Sequence, residues 1–165
     1  MRTSSKTIAF GGIMAALAVV VMCMGGLIPV ATYVCPVLCM VILQLVRKSC
    51  GNRIAWSWYG AVAILSVLMA PDKEAAAVFL FLGYYPIVKP WLDQKKGKWL
   101  LKGIFFNCVI LLMYWLLIHL FGMAEIASEF AEVGIAMTII TLVLGNVTFF
   151  LVDILLGRRL RFRRA

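Results

Sequence analysis

Residues 31–89 read ATYVCPVLCMVILQLVRKSCGNRIAWSWYGAVAILSVLMAPDKEAAAVFLFLGYYPIVK. Three apolar runs are separated first by Arg47, Lys48 and Arg53, then by the turn Pro71-Asp72-Lys73-Glu74, and Lys89 closes the third. The breaks alternate in character: basic, acid-rich, basic. A chain folding in water has no reason to sort its breaks in this way. A chain threaded through a bilayer does, because short loops rich in Lys and Arg stay on the cytoplasmic side.

The same pattern extends outward in both directions. Upstream, an apolar run covers Ile8–Met24 and is broken by Gly25, Gly26 and Pro29. Within the quoted stretch the runs are Ala31–Val46, Ile54–Ala70 and Ala75–Val88. The second of these is closed by Pro71, which disfavours helix at the residue before it. Downstream lie Trp99–Met123 and Ile135–Leu156. These boundaries predict an all-α membrane protein, a compact bundle of six transmembrane helices forming a single domain over residues 1–165. A span needs roughly 20 residues. The second and fourth runs fall short, so each borrows flanking residues or crosses a thinned region. Alternatively, the fourth pairs with the third as a re-entrant hairpin.

Threaded six times, the chain sorts fifteen of its sixteen lysines and arginines to one side. They are Arg2 and Lys6; Arg47, Lys48 and Arg53; Lys89, Lys95, Lys96, Lys98 and Lys102; and Arg158, Arg159, Arg161, Arg163 and Arg164. Lys73 falls opposite, among Asp72, Glu74, Glu125, Glu129 and Glu132. Five or seven passes scramble this order, so both termini are expected in the cytoplasm of a multi-pass cell-membrane protein. Composition agrees. Hydrophobic residues make up 64% of the chain, against about 45–50% in a soluble domain, and mean hydropathy is +1.02. The net charge of +9 then reflects topology, and no nucleic-acid partner is expected. The first run lacks a small-x-small cleavage site with a soluble domain behind it, so it reads as a retained helix.

Catalytic motifs are missing from the sequence. It has no G-x-S-x-G elbow, no H-E-x-x-H helix and no Gly-rich phosphate loop with lysine, and Asp93 is the lone acid of the basic loops. One histidine and five cysteines without a C-x-x-C pair offer no metal or redox constellation. Cys35 and Cys39 share a helix face, and all five cysteines read as small apolar packers. The chain is expected to be no enzyme and to need no cofactor or metal.

Several residues stand out against the apolar background. In the first helix, Gly11 with Ala15 and Gly12 with Ala16 repeat a small-xxx-small spacing, with Ala18 beside them, which lets helix backbones approach closely. That stripe packs either within the chain or against a partner subunit. Asp153 lies inside the sixth run near its basic end, where a snorkelling pair with Arg158 or a neighbouring loop lysine accounts for it. A partner contact or an ion site is the alternative. At the acidic side, Tyr33, Asp72, Lys73, Glu74 and His119, with Asn146 deeper, provide donors and acceptors for a small water-soluble ligand on apolar walls. Trp56, Trp58, Tyr84, Tyr85, Trp91 and Trp99 read as an interfacial aromatic belt at the basic side.

Small size, six helices, both ends inside, no nucleotide site and the alanine-rich opening Lys6–Val21 (KTIAFGGIMAALAVVV) together resemble the substrate-binding S component of energy-coupling factor transporters. The family's Ala-x-x-x-Ala face appears here as Gly-x-x-x-Ala. The resemblance implies capture of a vitamin-like micronutrient at the outer face. It also implies docking to a transmembrane coupling subunit, with cytoplasmic ATPases supplying energy. Gly11, Gly12, Ala15, Ala16 and Ala18 would form the docking face. By position, residues 25–33 would roof the pocket, with the 71–74 turn and the 122–134 loop around it. The principal rival is a non-catalytic membrane scaffold of the cell-shape or envelope machinery, with the same topology and no outer pocket. A small membrane enzyme and a self-contained channel or exporter, with Asp153 facing a water path, are the remaining readings.

Overall fold

The computed structural model describes the backbone over residues 5–27, 31–95, 97–119 and 124–158, and side chains within those limits except at 26, 27, 117–138, 141 and 158. The described residues are all-helical: α1 (Ser5–Cys23), a 3-10 turn (Met24–Leu27), α2 (Ala31–Cys50), α3 (Asn52–Met69), α4 (Lys73–Leu82), α5 (Tyr85–Leu92), α6 (Lys98–His119) and α7 (Ala124–Arg158). Among the described residues, four stretches are long and apolar enough to cross a membrane: Ser5–Cys23, Ala31–Cys50, Lys73–Leu92 and Lys98–Leu116. The chain gathers into two compact units, Met1–Lys95 and Lys96–Ala165.

In the first unit, α2 is the central helix and packs against α1, α3, α4 and α5. Small residues bring the backbones together. The Trp58 indole N–H donates to the carbonyl of Gly11 at 3.1 Å, and the Cys39 thiol donates to that of Ala18 at 3.4 Å. Around these contacts Met22, Leu43, Val46, Val62 and Phe79 are buried. α2 runs to Cys50, a full turn past the boundary expected from hydropathy. Arg47 and Lys48 do not end it, because cations suit the negative C-terminal end of a helix. Gly51 then turns the chain into α3 at φ 90°, a conformation that glycine adopts without strain.

The expected fourth helix is two helices. α4 and α5 meet at Gly83 and Tyr84, where a Cβ on residue 83 would strike the Phe79 carbonyl and lie 2.8 Å from that residue's ring carbons. Pro86 and Pro90 lack the N–H groups that would bond the carbonyls of Leu82 and Pro86. Side chains from other helices serve this broken stretch. Tyr59 on α3 donates its hydroxyl to the Leu80 carbonyl, and Arg47 on α2 donates to Pro86 O at 2.8 Å. Asp72, just before α4, meets Thr32 at one end of α2, and Pro86 meets Arg47 near the other. The pair α4–α5 therefore runs the length of α2.

The second unit is a hairpin of α6 and α7. Aromatic rings seat against glycines across it: Phe106 lies 3.5 Å from where a Cβ of Gly145 would stand, and Phe150 lies 3.9 Å from that of Gly103. Phe106 also stacks on Phe149 at 4.7 Å between centroids. The acidic stretch 125–132, expected as a loop, is helical, because α7 starts at Ala124 and is 35 residues long. The loop expectation weighed polarity alone. Glu and Ala are strong helix formers, and acids favour a helix N-terminal turn. At 1.5 Å per residue α7 is about 52 Å long, against a hydrocarbon core of about 30 Å.

Candidate functional site

The alternating helix directions of the first unit bring like charges together. The Cys50 thiol reaches Thr7 O at 3.6 Å, so the start of α1 lies beside the end of α2. Arg47 ties that end to α5. Lys6, Arg47, Lys48, Arg53, Lys89 and Lys95 thus share one end of the unit with a single described acid, Asp93, which lies 3.5 Å from Lys89.

At the opposite end sit four of the expected ligand residues, Tyr33, Asp72, Lys73 and Glu74. Asp72 caps α4 by accepting from the Ala75 N–H at 3.0 Å and also accepts from Thr32 at 2.7 Å. Tyr33 donates to Glu74 at 3.1 Å. Lys73 donates to the carbonyls of Val67 and Ala70 at 2.9 and 3.0 Å, which closes the C-terminal end of α3. These are helix-end groups that need partners, and the side chains expected to meet a ligand supply them.

Asn146 lies in the second unit and is bound to Asn107 in a reciprocal amide pair, at 2.9 and 3.1 Å. The side chain of His119 lies outside the described residues. The open groove in this unit, about 450 Å³, is apolar and runs along α6 past Trp99, Gly103, Asn107 and Leu111. It includes none of the expected ligand residues. Among the described residues no group of three or more His, Cys, Asp or Glu side chains is placed to hold a metal ion.

The first-helix stripe divides between two faces. Gly11 and Ala18 are buried against α3 and α2, Ala15 is half-buried, and Gly12 and Ala16 are exposed. A bulky side chain at the two faces should therefore act differently. Ala18→Leu forces atoms into a fully buried position between α1 and α2 and is expected to cost about 1–3 kcal/mol, whereas Gly12→Leu, with open space around its Cβ, leaves stability within about 0.5 kcal/mol. Melting curves of both variants in detergent check this. Equal losses would mean that the helix is rotated from the orientation described.

Asp153 is matched to Lys102, and the side chain of Arg158 lies outside the described residues. Both carboxylate oxygens accept from the ammonium, at 3.0 and 2.9 Å, with Lys102 1% and Asp153 3% exposed. Lys102 was grouped with the loop cations, yet its position one turn inside α6 pairs it with the acid of α7. The aromatic belt is thinner than the sequence implied, because Trp58 and Tyr85 are buried. Tyr85 enters the core beside the chain break, and Trp58 reaches inward to Gly11.

The sequence readings passed over Arg47 and Asn107 as site-forming residues. Two prolines four apart, Pro86 and Pro90, signal an orphaned carbonyl that calls for an outside donor. An asparagine in mid-span calls for another amide. Set beside protein-family models, curated proteins and solved structures, the chain matches none of them.

Proposed function

We propose that this chain is a ligand-capturing membrane subunit of an ATP-driven micronutrient transporter, of the S-component kind that its first helix resembles. In this reading the chain crosses the membrane six times with both termini in the cytoplasm, and the basic end of the first unit faces the cytoplasm. The outer face takes a small, water-soluble ligand. A coupling subunit docks on the exposed side of α1, at Gly12 and Ala16, and cytoplasmic ATPases drive transport, because the sequence contains no nucleotide-binding motif.

The observation that carries this reading is the gathering of Tyr33, Asp72, Lys73 and Glu74 at the end of the first unit opposite its cations. That end supplies carboxylates, a phenol and an ammonium above an apolar wall, the composition of a small-molecule site. The scaffold reading draws on a different feature of the same residues, namely that each is already bonded within the chain.

Calorimetry and thermal-shift measurement of the purified full chain, screened against vitamins, their precursors and metal ions, distinguish the two readings. Transport predicts one ligand class that raises the melting temperature, with the gain lost in Tyr33→Phe/Glu74→Gln. A screen with no binder, on protein that is folded, would leave the scaffold as the better account.

A further inference from the structure

The basic end of the first unit carries two exposed pairs of tryptophan and cation. On α3, Arg53 and Trp56 are three residues apart and so share a face. Both are exposed, Trp56 by 44%. The Trp56 indole is already held in place, stacked on Tyr84 at 6.3 Å and edge-on to Tyr59 at 6.1 Å. Just after α5, the Lys95 ammonium lies 4.8 Å over the ring of Trp91, which is 57% exposed. Neither Arg53 nor Lys95 has an acidic partner among the described residues. The described acid of this end, Asp93, is engaged with Lys89.

We propose that Arg53–Trp56 and Lys95–Trp91 hold the headgroups of anionic phospholipids, with the guanidinium and ammonium on phosphate and the indoles at the level of the glycerol. Indole combines an apolar body with one N–H donor and settles at that depth of a bilayer. The exposed apolar flank continues to the same level, where Ile8 is 61% exposed beside the end of α2. An acidic protein surface would neutralise the cations but leave two large indoles against polar groups. An anionic lipid meets both, and clustered cations beside a membrane-crossing segment are attracted to such lipids. The inference is independent of any ligand at the opposite end.

Native mass spectrometry of the full chain in detergent tests it, with equimolar phosphatidylglycerol and phosphatidylcholine of matched acyl chains. The wild type is expected to retain phosphatidylglycerol about tenfold or more over phosphatidylcholine at low salt, from about fivefold per cation, and the preference should shrink as salt is raised. Arg53→Gln/Lys95→Gln should remove most of the preference, while Arg53→Lys/Lys95→Arg retains it. Trp56→Leu/Trp91→Leu should lower retention of both lipids and leave their ratio near that of the wild type. As a control, Arg163→Gln/Arg164→Gln should keep the preference. Equal retention of the two lipids by the wild type, or an unchanged preference in Arg53→Gln/Lys95→Gln, would overturn the proposal.

Discussion

Asp153→Ala will unfold the α6–α7 hairpin more readily than any surface change in this protein, at an expected cost of about 3–5 kcal/mol. Lys102 and Asp153 meet at 2.9 Å with almost no exposure on either side. Removing the acid takes two hydrogen bonds from an ammonium that is only 1% exposed. Nearby Trp99, whose ring lies 5.6 Å from the Lys102 nitrogen, offers some compensation through its π face, but far less than a carboxylate.

Lys102→Met should cost a similar amount by taking the ammonium from a carboxylate that is 3% exposed. The paired change Lys102→Met/Asp153→Leu removes both charges at nearly constant volume, and should recover most of the loss. Unfolding in mixed micelles, followed by tryptophan fluorescence, is the measurement. A loss of about 1 kcal/mol or less in the single variants would place the pair among solvated ion pairs. A double variant no better than the singles would show that the charges matter for some reason other than burial.

Arg47→Met will destabilise the first unit by about 1.5–3 kcal/mol, the worth of a hydrogen bond to a charged group. The carbonyl of Pro86 has no helical partner because residue 90 is proline. Arg47 supplies one at 2.8 Å while its Nε donates to Asn52 at 3.1 Å. The test of this account is a double-mutant cycle with Pro90→Ala, which restores an N–H four residues after Pro86. If Arg47 acts as argued, its replacement costs markedly less in the Pro90→Ala background, and Arg47→Lys falls between Met and wild type because an ammonium lacks the fork that spans both acceptors. Additive losses across the cycle would reject the link between the arginine and the proline.

The alternation of apolar runs with basic and acid-rich breaks was sufficient to read an all-helical, membrane-compatible chain. That signal is local and strong, since a bilayer imposes a length and a charge bias on each segment separately. The convergence of Tyr33, Asp72, Lys73 and Glu74 was legible for the same reason: each borders a span at the same side of the pattern, so threading alone brings them together. Helix ends were less legible. The far boundary of α2 and the start of α7 were misjudged, because charge was taken as the end of helix when cations at a C-terminus and glutamates at an N-terminus extend it.

Partnerships belonged to the tertiary structure. Nothing in the order of residues says that Lys102 turns inward to Asp153, that Asn107 finds Asn146, or that Gly11 and Ala18 face α3 and α2 while Gly12 and Ala16 face out. A helix that is apolar all round, as α1 is, has no hydrophobic stripe to announce its buried side. Its rotation is set by which small residues let neighbouring backbones and the Trp58 indole approach. Likewise the sequence shows two prolines in one span, but only the packing of α2 beside it decides that Arg47 answers the carbonyl they leave open. Segment identity comes from transfer between water and lipid, which each residue contributes alone. The choice of partner comes from close contact, which needs two parts of the chain in one place.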